Sequence, residues 1–464
     1  MNATVTASSV ARELASICGA EHVIDHAESL VRFAIDEVVP QVAVAPASAS
    51  QISAVLSFAA KENLAVMPSG GVTQQSVGNA PAAIDILLDT RRLNRVEHYD
   101  AGDLTIGVGA GCTLAEINRT LAEHAQFLPV DPPQPERATI GGLLATAASG
   151  PLRHGYGTLR DFCIGVSFVT GDGVIAKGGG RVVKNVAGYD LMKLLIGSYG
   201  TLGVITSANF KVFPRPDRQG ELRTFEMESQ SLGEAMAFRD GLRPSPLTPL
   251  CLEIVSARAL EYLAEPTAPR DPDEFAPAQP LSPETAGWRL LLRAAGSEAV
   301  LARYRRELGT AVTRETAGER DAAQWRAIAH FAPAVIERHR NAMMLSLSVP
   351  PSESEAAIVA AQQAAVDNNF IPAFVGRVGV SALTVAFIPL SVDPPSAMQY
   401  ATAVSALRSA LPEDASAVVT RCPTEAKRHF DVWGTTRTDF GSMRAVKRAM
   451  DPEGILNRGR FLVD

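Results

Sequence analysis

The sequence has 464 residues, of which 46% are hydrophobic and 20% charged, and its 43 basic and 50 acidic residues give a formal net charge of −7. This is the composition of a folded chain of about two or three domains, and it excludes a largely disordered protein. The mild acidity gives no electrostatic reason to expect nucleic acid or an anionic membrane as a partner. The five scattered cysteines include no CxxC pair, which argues against a disulfide framework, a zinc site or a protein-ligated iron–sulfur cluster.

The N-terminal region, residues 1–35, is predicted to be a short helical segment followed by a link. It lacks a basic stretch followed by an unbroken apolar run, so we expect no signal peptide. No stretch of the sequence approaches the roughly 18 apolar residues of a membrane span. We therefore expect a cytoplasmic protein without a transmembrane segment.

Residues 36–90 alternate between strand and helix patterns. An extended segment at 42–46 precedes an amphipathic one at 51–63, and an apolar segment at 64–68 runs directly into Ser69-Gly70-Gly71. A strand, a helix, a strand and a glycine turn in this order are typical of an α/β ligand-binding domain.

Residues 95–216 show short β-rich segments separated by glycine-rich turns. Pro214 and Pro216 end this region, because prolines at that spacing suit neither a helix nor a central strand. Beyond it, periodic strand and helix segments favour a domain with helices packed on a sheet. Residues 264–287, rich in Pro, Ala, Glu and Asp, are predicted to form an exposed, flexible loop, and a helical pattern at 443–457 closes the chain.

The segment Met67–Thr73 places two consecutive glycines after an apolar strand. Gly70 and Gly71 allow the backbone to turn its N–H groups toward one point, and such a concavity binds a diphosphate without a basic side chain. The alternative is an ordinary tight turn, which a single Gly-Gly pair leaves open.

The segment 139–151 is a run of small and apolar, uncharged residues, TIGGLLATAASGP. A packed core favours larger side chains, whereas small ones let a chain lie close against a large flat ligand. The alternative is a tightly packed crossing of helices or strands.

Other glycine clusters do not indicate a nucleotide site. Gly107, Gly109 and Gly111 follow a strand, but the third glycine of a GxGxxG fingerprint falls at Cys112, and no adjacent βαβ unit follows. No GxxxxGK[ST] loop occurs, which argues against a nucleoside triphosphatase. The three glycines at 178–180 are predicted to form a hairpin turn.

Six segments, taken in order, resemble those of the FAD-linked oxidases and dehydrogenases of the vanillyl-alcohol oxidase / p-cresol methylhydroxylase type. They are PSGGVT (68–73), DPP (131–133), TIGGLLATAASGP (139–151), YGTLRDFCIGV (156–166), KNVAGYDLMKLLIGSYGTLGVIT (184–206) and DPEGILNRGR (451–460). Within that family, KNVAGYD, GSYGTLGVIT and the VWG at 432–434 are most similar to the FAD-binding accessory subunit of bacterial glycolate oxidase. The middle region carries no motif that matches the family.

The resemblance implies an α+β fold. It consists of a split FAD-binding domain of the p-cresol methylhydroxylase type, made of two α+β subdomains, with an inserted α+β cap domain and a C-terminal return to the FAD domain. The expected division is an N-terminal helical segment (1–35), the FAD-binding domain (36–216), the cap or substrate domain (217–425) with its loop, and a C-terminal segment packing on the FAD domain (426–464).

The resemblance also implies which residues bind FAD. The first glycine loop holds the diphosphate, the small-residue segment lies along the ribityl chain and isoalloxazine, and the strand at 203–205 meets the adenine end. The implied residues are Pro68, Ser69, Gly70, Gly71, Val72, Thr73, Gly78, Pro133, Thr139, Gly141, Gly142, Ala145, Ser149, Gly150, Tyr156, Gly157, Gly203 and Ile205.

Two departures from the family pattern matter. Val72 stands where covalent members have a histidine directly after the Gly-Gly pair, so we predict that FAD is bound non-covalently. Members that oxidise 2-hydroxy acids use a pair of metal-binding histidines and an arginine for the substrate carboxylate. The nearest pair in the cap and tail is His330 and His339, and their spacing would place them about 180° apart on a helix. We therefore predict no metal site.

Two residues are candidates for catalysis. Lys184 would place a charge near the reacting face of the flavin, unless it is a surface lysine. Tyr189 is the second candidate, and packing at the start of a helix is its alternative interpretation. Arg153 is expected either to pair with a phosphate or carboxylate or to be solvated. A solvated helix face is predicted for Arg437, Arg444, Lys447 and Arg448.

The leading hypothesis is a FAD-binding oxidoreductase subunit that takes part in the oxidation of a 2-hydroxy acid such as glycolate and passes electrons to a partner. The resemblance implies a catalytic flavoprotein subunit and an iron–sulfur subunit as partners, with any attachment to the inner membrane made through them. Two alternatives stay open: a self-sufficient FAD-dependent dehydrogenase of a D-lactate-like 2-hydroxy acid, and a FAD-binding scaffold without catalysis.

Overall fold

The structure is a computed structural model that describes residues 6–181, 189–218, 220–263, 287–380, 382–391, 393–434 and 439–461. Lys184 and all but the last residue of the predicted loop at 264–287 lie outside the described residues. The α-helices of the described part are α1 (Ala7–Cys18), α2 (Ala27–Leu30), α3 (Ala49–Lys61), α4 (Leu114–Ala122), α5 (Ile140–Thr146), α6 (Arg153–Tyr156), α7 (Leu159–Phe162), α8 (Leu191–Leu195), α9 (Leu232–Leu242), α10 (Ala257–Leu263), α11 (Glu298–Leu308), α12 (Gly318–Ala329), α13 (Phe331–Arg338), α14 (Ser354–Asp367), α15 (Ala397–Ala410) and α16 (Phe440–Met450).

The first sheet has four strands in the order β1-β2-β4-β3, with β2 and β3 parallel to β4 and β1 antiparallel to β2. The strands are β1 (Val23–Ile24), β2 (Val42–Val44), β3 (Val66–Ser69) and β4 (Ile86–Asp89). Helix α3 connects β2 to β3 and buries Ile52, Val55 and Leu56, and α1 packs Leu14 into the same core. The predicted order of strand, helix, strand and glycine turn is confirmed.

The second sheet is antiparallel, with five strands in the order β5-β6-β10-β8-β9, and a two-stranded pair of β7 and β11 lies beside it. The strands are β5 (Val96–Asp100), β6 (Thr105–Gly109), β7 (Gln126–Phe127), β8 (Cys163–Val169), β9 (Ile175–Gly179), β10 (Val204–Lys211) and β11 (Phe213–Pro214). The hairpin turn between β8 and β9 lies at 170–174, so the prediction of a turn at 178–180 is wrong. Gly179 belongs to β9, where a Cβ atom would lie 2.2 Å from the carbonyl oxygen of Ile164. This glycine permits a close approach of strands rather than a turn.

The third sheet forms the cap and is antiparallel, with eight strands in the order β15-β12-β14-β13-β17-β18-β16-β19. The strands are β12 (Glu221–Ser229), β13 (Cys251–Ser256), β14 (Trp288–Gly296), β15 (Arg314–Ala317), β16 (Met343–Ser348), β17 (Phe370–Arg377), β18 (Ala382–Pro389) and β19 (Ser416–Arg421). Helices α9, α11, α14 and α15 pack on one face, whereas α10, α12 and α13 pack on the other. The second face also contacts Leu152 and Tyr156, which belong to residues 36–216, the part expected to bind FAD and called the FAD-binding part below. Helices packed on a sheet are as predicted.

The C-terminal segment returns to the first sheet. The Val66 N–H donates to the carbonyl of Ile455 at 2.8 Å, and the Asn457 N–H donates to the carbonyl of Val66 at 2.9 Å. Ile455 and Leu456 are fully buried in the core beneath α3. The tail therefore completes the sheet that carries the first glycine loop.

Of the predicted solvated helix face, Arg437 lies outside the described residues, and the prediction is wrong for Lys447. Its Nζ donates to the Thr201 carbonyl at 2.9 Å, to the Leu456 carbonyl at 3.0 Å and to the Asp451 carboxylate. A basic side chain on this amphipathic helix thus ties the tail to the FAD-binding part.

Candidate functional site

A cleft of about 860 Å³, its open mouth included, lies where the end of β3, helix α5, the segment 199–205 and the tail meet. Twelve of the residues predicted to bind FAD line it, and all three predicted segments contribute. These are Pro68, Ser69, Gly70, Gly71, Val72, Thr73, Thr139, Gly141, Gly142, Ala145, Gly203 and Ile205. Their contact with FAD stays a prediction, but the structure brings them to one place.

Six of the predicted residues are not among those that line the cleft: Gly78, Pro133, Ser149, Gly150, Tyr156 and Gly157. Gly150 packs on the backbone of Asp131, where a Cβ atom would lie 2.0 Å from the carbonyl oxygen. The ring of Tyr156 contacts Phe127 and Phe213 edge to face. These two residues pack against neighbouring segments, and their contact with FAD stays a prediction.

Sequence reasoning missed the part of the lining that comes from the tail and from the turn after α8. Tyr199, Trp433, Asn457 and Arg460 all line the cleft. The tail motif at 451–460 contains Asn457 and Arg460, so the family pattern carried a signal for them that was not used residue by residue. Tyr199 and Trp433 likewise lie in the GSYGTLGVIT and VWG motifs of the resemblance, which imply no role for either residue.

The backbone of the cleft leaves no room for additional side chains. A Cβ atom on Gly71 would lie 1.6 Å from the carbonyl oxygen of Arg137, and one on Gly70 would lie 2.3 Å from Thr139 Oγ1. A Cβ atom on Gly200 would lie 2.9 Å from Asn457 Nδ2. The glycines are therefore required by close approach and form a narrow cradle.

Two polar atoms of the lining are buried without a hydrogen-bond partner in the described part of the chain, namely Thr139 Oγ1 and Asn457 Oδ1. The other end of the Asn457 amide is fixed, because Nδ2 donates to the Tyr199 carbonyl at 2.7 Å. A buried polar atom without a partner is costly unless a ligand satisfies it. The glycine cradle and these atoms fit the diphosphate, hydroxyls and flat ring of FAD.

Three aromatic rings pack together at the cleft. The ring centroid of Trp433 lies 4.5 Å from that of Tyr199 and 4.7 Å from that of Phe461. Trp433 Nε1 donates to the carbonyl of Arg460 at 2.8 Å, which fixes the indole against the tail. The turn that contains Trp433 and the end of the tail at Phe461 thus close one side of the cleft.

A second polar cluster lies where the cap meets the FAD-binding part. Arg377 Nε lies 3.4 Å from Glu253 Oε1 across the neighbouring strands β17 and β13, and both Glu253 oxygens are buried without a hydrogen bond. Burial, with help from the charge of Asp131, raises the pKa of Glu253 to about 8 against the opposing effect of Arg377. Burial also raises the pKa of Asp131 to about 7, although its carboxylate accepts the N–H of Leu152 at 3.0 Å.

Arg153 belongs to the same cluster, and its side chain makes no hydrogen bond or ion pair with any described residue. Burial and then the charge of Arg377 lower the pKa of Arg153. Arg293, by contrast, is held by Asp321, with 2.5 Å between Nη2 and Oδ2. The cluster therefore contains two neighbouring guanidinium groups of which one is free to bind an anion.

The remaining predicted residues do not join either site. Tyr189 is 92% exposed and precedes α8, so its interpretation as a packed residue is wrong. It is not among the cleft-lining residues, and its catalytic role stays a prediction. His339 is buried with its Nε2 3.0 Å from the Tyr262 hydroxyl, whereas His330 lies at the junction of α12 and α13.

Within the described ranges, no group of three or more His, Cys, Asp or Glu side chains is arranged to hold a metal ion. All five cysteines are buried and unpaired. In the same part of the chain, none of the helices has the length and apolar character needed to cross a bilayer.

Comparison with known proteins agrees with this geometry. Residues 40–179 match the FAD binding domain family, and residues 427–461 match the C-terminal domain of FAD linked oxidases. The glycolate oxidase subunit GlcE of Escherichia coli (strain K12) is 40% identical over 165 residues, which are 35% of this chain and 47% of that protein. The match thus spans about half the length of that relative.

Two further matches extend over nearly the whole chain. The D-2-hydroxyglutarate dehydrogenase of Xanthomonas citri pv. viticola is 27% identical over 448 residues, which are 90% of this chain and 88% of that protein. The crystal structure of p-cresol methylhydroxylase with substrate bound superimposes with a TM-score of 0.74 at 16% identity, covering 98% of this chain and 96% of that one. The expected fold class is confirmed.

Proposed function

Because the chain carries both the FAD-binding domain and the C-terminal domain of the FAD linked oxidases, we propose that it is a FAD-binding oxidoreductase subunit. In this proposal it takes part in oxidising a 2-hydroxy acid such as glycolate, and the electrons pass to a partner. The likeness to GlcE supports the subunit role. The partners would be a catalytic flavoprotein and an iron–sulfur subunit, since the cysteines of this chain are buried and dispersed.

The cleft supports FAD as the cofactor. Thr139 and Asn457 would supply polar contacts, and the glycines of residues 70–71 and 141–142 would allow close approach. FAD, when bound, accepts a hydride from the carbon that bears the substrate hydroxyl. The residues of the chain bind, orient and desolvate both molecules.

One observation carries the choice of an acidic substrate: the Arg153 guanidinium lies near that of Arg377, and although the charge of Asp161 acts on it, no described carboxylate forms an ion pair with it. Two guanidinium groups at one place repel each other, and a substrate carboxylate would relieve this repulsion. Asp131 is suited to accept the hydroxyl proton, because a base with a pKa of about 7 is half ionised near neutral pH. The cap would exclude water from the cluster through Leu152 and Tyr156.

The alternative of a self-sufficient dehydrogenase is favoured by one specific observation. The match to D-2-hydroxyglutarate dehydrogenase covers the cap as well as the FAD-binding part. A chain with a complete cap and its own acid-binding cluster could turn over without a catalytic partner. A scaffold without catalysis would leave that cluster unused.

The test is to add glycolate, D-lactate or D-2-hydroxyglutarate to the FAD-loaded chain without oxygen. Reduction of the flavin is measured as the loss of its visible absorbance. Reduction only after the partner subunits are added supports the proposal, and reduction of the chain alone supports the self-sufficient dehydrogenase. Reduction by dithionite but by no substrate in any assembly contradicts both. Arg377→Met is expected to abolish reduction by substrate, and Arg421→Met, at the exposed end of β19, serves as its control.

The cofactor is proposed to be bound non-covalently, since Val72 provides no nucleophile directly after the Gly-Gly pair. Acid precipitation of the purified holoprotein should leave the yellow colour in the supernatant. Colour that remains in the pellet would show a covalent bond elsewhere in the chain.

A further inference from the structure

A buried cluster of three charged side chains, Asp36, Lys427 and Arg460, lies behind the cleft. Lys427 Nζ is 2.8 Å from Asp36 Oδ1, and Arg460 Nη1 is 2.8 Å from Asp36 Oδ2. The side chains are 1% exposed for Lys427 and 6% for the other two. Asp36 lies at the start of the 36–216 part, and Lys427 and Arg460 lie near the two ends of the C-terminal segment 426–464, so the cluster joins these two parts of the chain.

The two cations of this cluster also hold the loop that follows the first glycine segment. Five consecutive backbone carbonyls, at 75–79, accept hydrogen bonds from them in alternation. Arg460 donates to those of Gln75, Val77 and Asn79, and Lys427 donates to those of Ser76 and Gly78. The carbonyl dipoles of this loop are therefore directed at the buried cations. Gly78, predicted to bind FAD, belongs to this loop and is not among the residues that line the cleft, so its contact with FAD stays a prediction.

The cluster leaves one net positive charge behind the cleft, since two cations face one carboxylate. Burial lowers the pKa of Lys427, whereas the charge of Asp36 and its hydrogen bond oppose that effect. Among the described residues that line the cleft, Arg460 is the only basic side chain. A diphosphate bound at Gly70 and Gly71 would thus have the cluster's positive charge at the cleft through Arg460, in addition to that of Arg137, whose Nη2 donates to the Gly71 carbonyl at 3.2 Å. Because the cluster is buried, salt screens its charge little.

We propose that the Asp36–Lys427–Arg460 cluster is the counter-charge of the FAD diphosphate: it fixes the 75–79 loop beside the cradle and supplies one net positive charge to it. This role goes beyond the proposed oxidation and does not depend on the substrate. The competing explanation is a clamp that only stabilises the fold.

The net charge of the cluster separates the two explanations. Lys427→Met leaves no net charge, Asp36→Asn leaves two positive charges, and the double variant Asp36→Asn/Lys427→Met restores the single positive charge of the native cluster. The dissociation constant of FAD is measured with each apoprotein by quenching of flavin fluorescence. The apoprotein's thermal midpoint is measured alongside, and neither readout requires catalysis.

We expect roughly tenfold weaker FAD binding for Lys427→Met, as for loss of a charged hydrogen-bonding group. Binding by the double variant should recover toward the native value, and Asp36→Asn should bind at least as tightly as the native chain. Arg458→Met is the matched control, because Arg458 also ties the tail to the FAD-binding part, through the Asn63 carbonyl at 3.2 Å, without lining the cleft.

A double variant that binds FAD no better than Lys427→Met would overturn the proposal, as would weaker binding by Asp36→Asn in step with a lower thermal midpoint. Those results would assign the cluster to folding alone. If Lys427→Met does not fold, Asp36→Asn and the double variant still decide the question. Failure of the proposed oxidation would leave these binding constants unchanged, so the two proposals fail separately.

Discussion

The cofactor cleft and the polar cluster between the cap and the FAD-binding part are built in opposite ways. This second cluster, called the cap cluster below, consists of Asp131, Arg153, Glu253, Arg293 and Arg377. The cleft consists of backbone and small residues packed so closely that a single added Cβ atom on Gly71 would collide with the chain. The cap cluster consists of charged side chains from different strands, a helix and a loop, and several of their polar atoms are buried without a hydrogen-bond partner. A backbone cradle recognises a cofactor by shape, whereas the side chains set the charge and proton affinity of the place where a substrate would bind. The cleft should therefore be damaged by adding atoms, and the cap cluster by removing them.

The largest effect is expected from removing the carboxylate that pairs with Arg293 of the cap cluster. Asp321 is 1% exposed, accepts the Thr224 hydroxyl at 2.6 Å and pairs with Arg293. Asp321→Ala leaves a buried guanidinium without a partner and should lower the free energy of unfolding by about 3 kcal/mol. Urea unfolding of the apoprotein measures this change in the free energy of unfolding.

The matched control is Glu319→Ala, two residues earlier in the same helix. Glu319 pairs with Arg326, but its side chain is 81% exposed. Exposed pairs contribute little, so this variant should stay within about 0.5 kcal/mol of the native chain. Equal effects of the two substitutions would mean that the helix, and not the buried ion pair, is what Asp321→Ala disturbs.

The second prediction concerns a methyl group added to the backbone of the cleft at Gly71. Gly71→Ala should weaken FAD binding by roughly 2 kcal/mol, about thirtyfold, because the new Cβ atom must displace the Arg137 backbone. Gly441→Ala in α16, where a Cβ atom would meet nothing within 4 Å, is the control. FAD titration of the apoproteins decides, and native affinity in Gly71→Ala would show that the cradle is not the diphosphate site.

The same difference explains how much could be predicted from the sequence. Gly70 and Gly71 were identified because a glycine pair after an apolar strand is a local pattern with a local structural meaning. Glu253 and Arg377 are 124 residues apart, and they meet only because β13 and β17 are neighbours with Ile254 opposite Gly376. No short-range signal indicates this pairing. The cluster of Asp36, Lys427 and Arg460 was missed for the same reason.

A glycine is required both where two backbone segments approach closely and where the chain turns, so the sequence alone does not distinguish these two structures. Gly179, predicted to lie in a turn, lies in a strand, and the carbonyl of Gly78, predicted to contact the cofactor, accepts a hydrogen bond from Lys427. Both have positive φ angles, 71° and 111°. The sequence indicates that such a backbone is needed, whereas the neighbours that require it come from tertiary structure.

The third prediction uses pH to probe the cap cluster. The pKa of Glu253 is raised to about 8 in the folded chain, well above that of an exposed glutamate, so the folded state binds more protons between those values. Stability should therefore fall as the pH rises from about 5 to 8, by up to about 1.4 kcal/mol per pH unit for this group.

Glu253→Gln should flatten that slope, and urea unfolding of the apoproteins at several pH values measures it. Glu315→Gln is the control, because its pKa is lowered by the hydrogen bond from Arg305 and it remains ionised throughout this range. A slope that persists in Glu253→Gln would have to come from Asp131, whose pKa is raised to about 7. A slope that also persists in Asp131→Asn would contradict the assignment to this cluster.

The smallest effect should come from a substitution that relieves backbone strain in the cleft. Val72 has a φ angle of 61°, a conformation that a β-branched residue adopts only under strain, and its side chain is half exposed. Val72→Gly should relieve that strain, and the greater freedom of glycine in the unfolded chain should offset part of the gain. We expect the apoprotein to be more stable by about 0.5–1 kcal/mol, and FAD binding to be tighter by a few-fold.

Val72→Ala separates the backbone from the side chain, because it removes the same two methyl groups but keeps a Cβ atom at positive φ. If strain is the cause, alanine should recover much less stability than glycine in thermal or urea unfolding. Equal gains would assign the effect to the exposed apolar side chain. Weaker FAD binding by Val72→Gly would mean that the valine contacts the cofactor, and a side chain would then contribute to a site that is otherwise made of backbone.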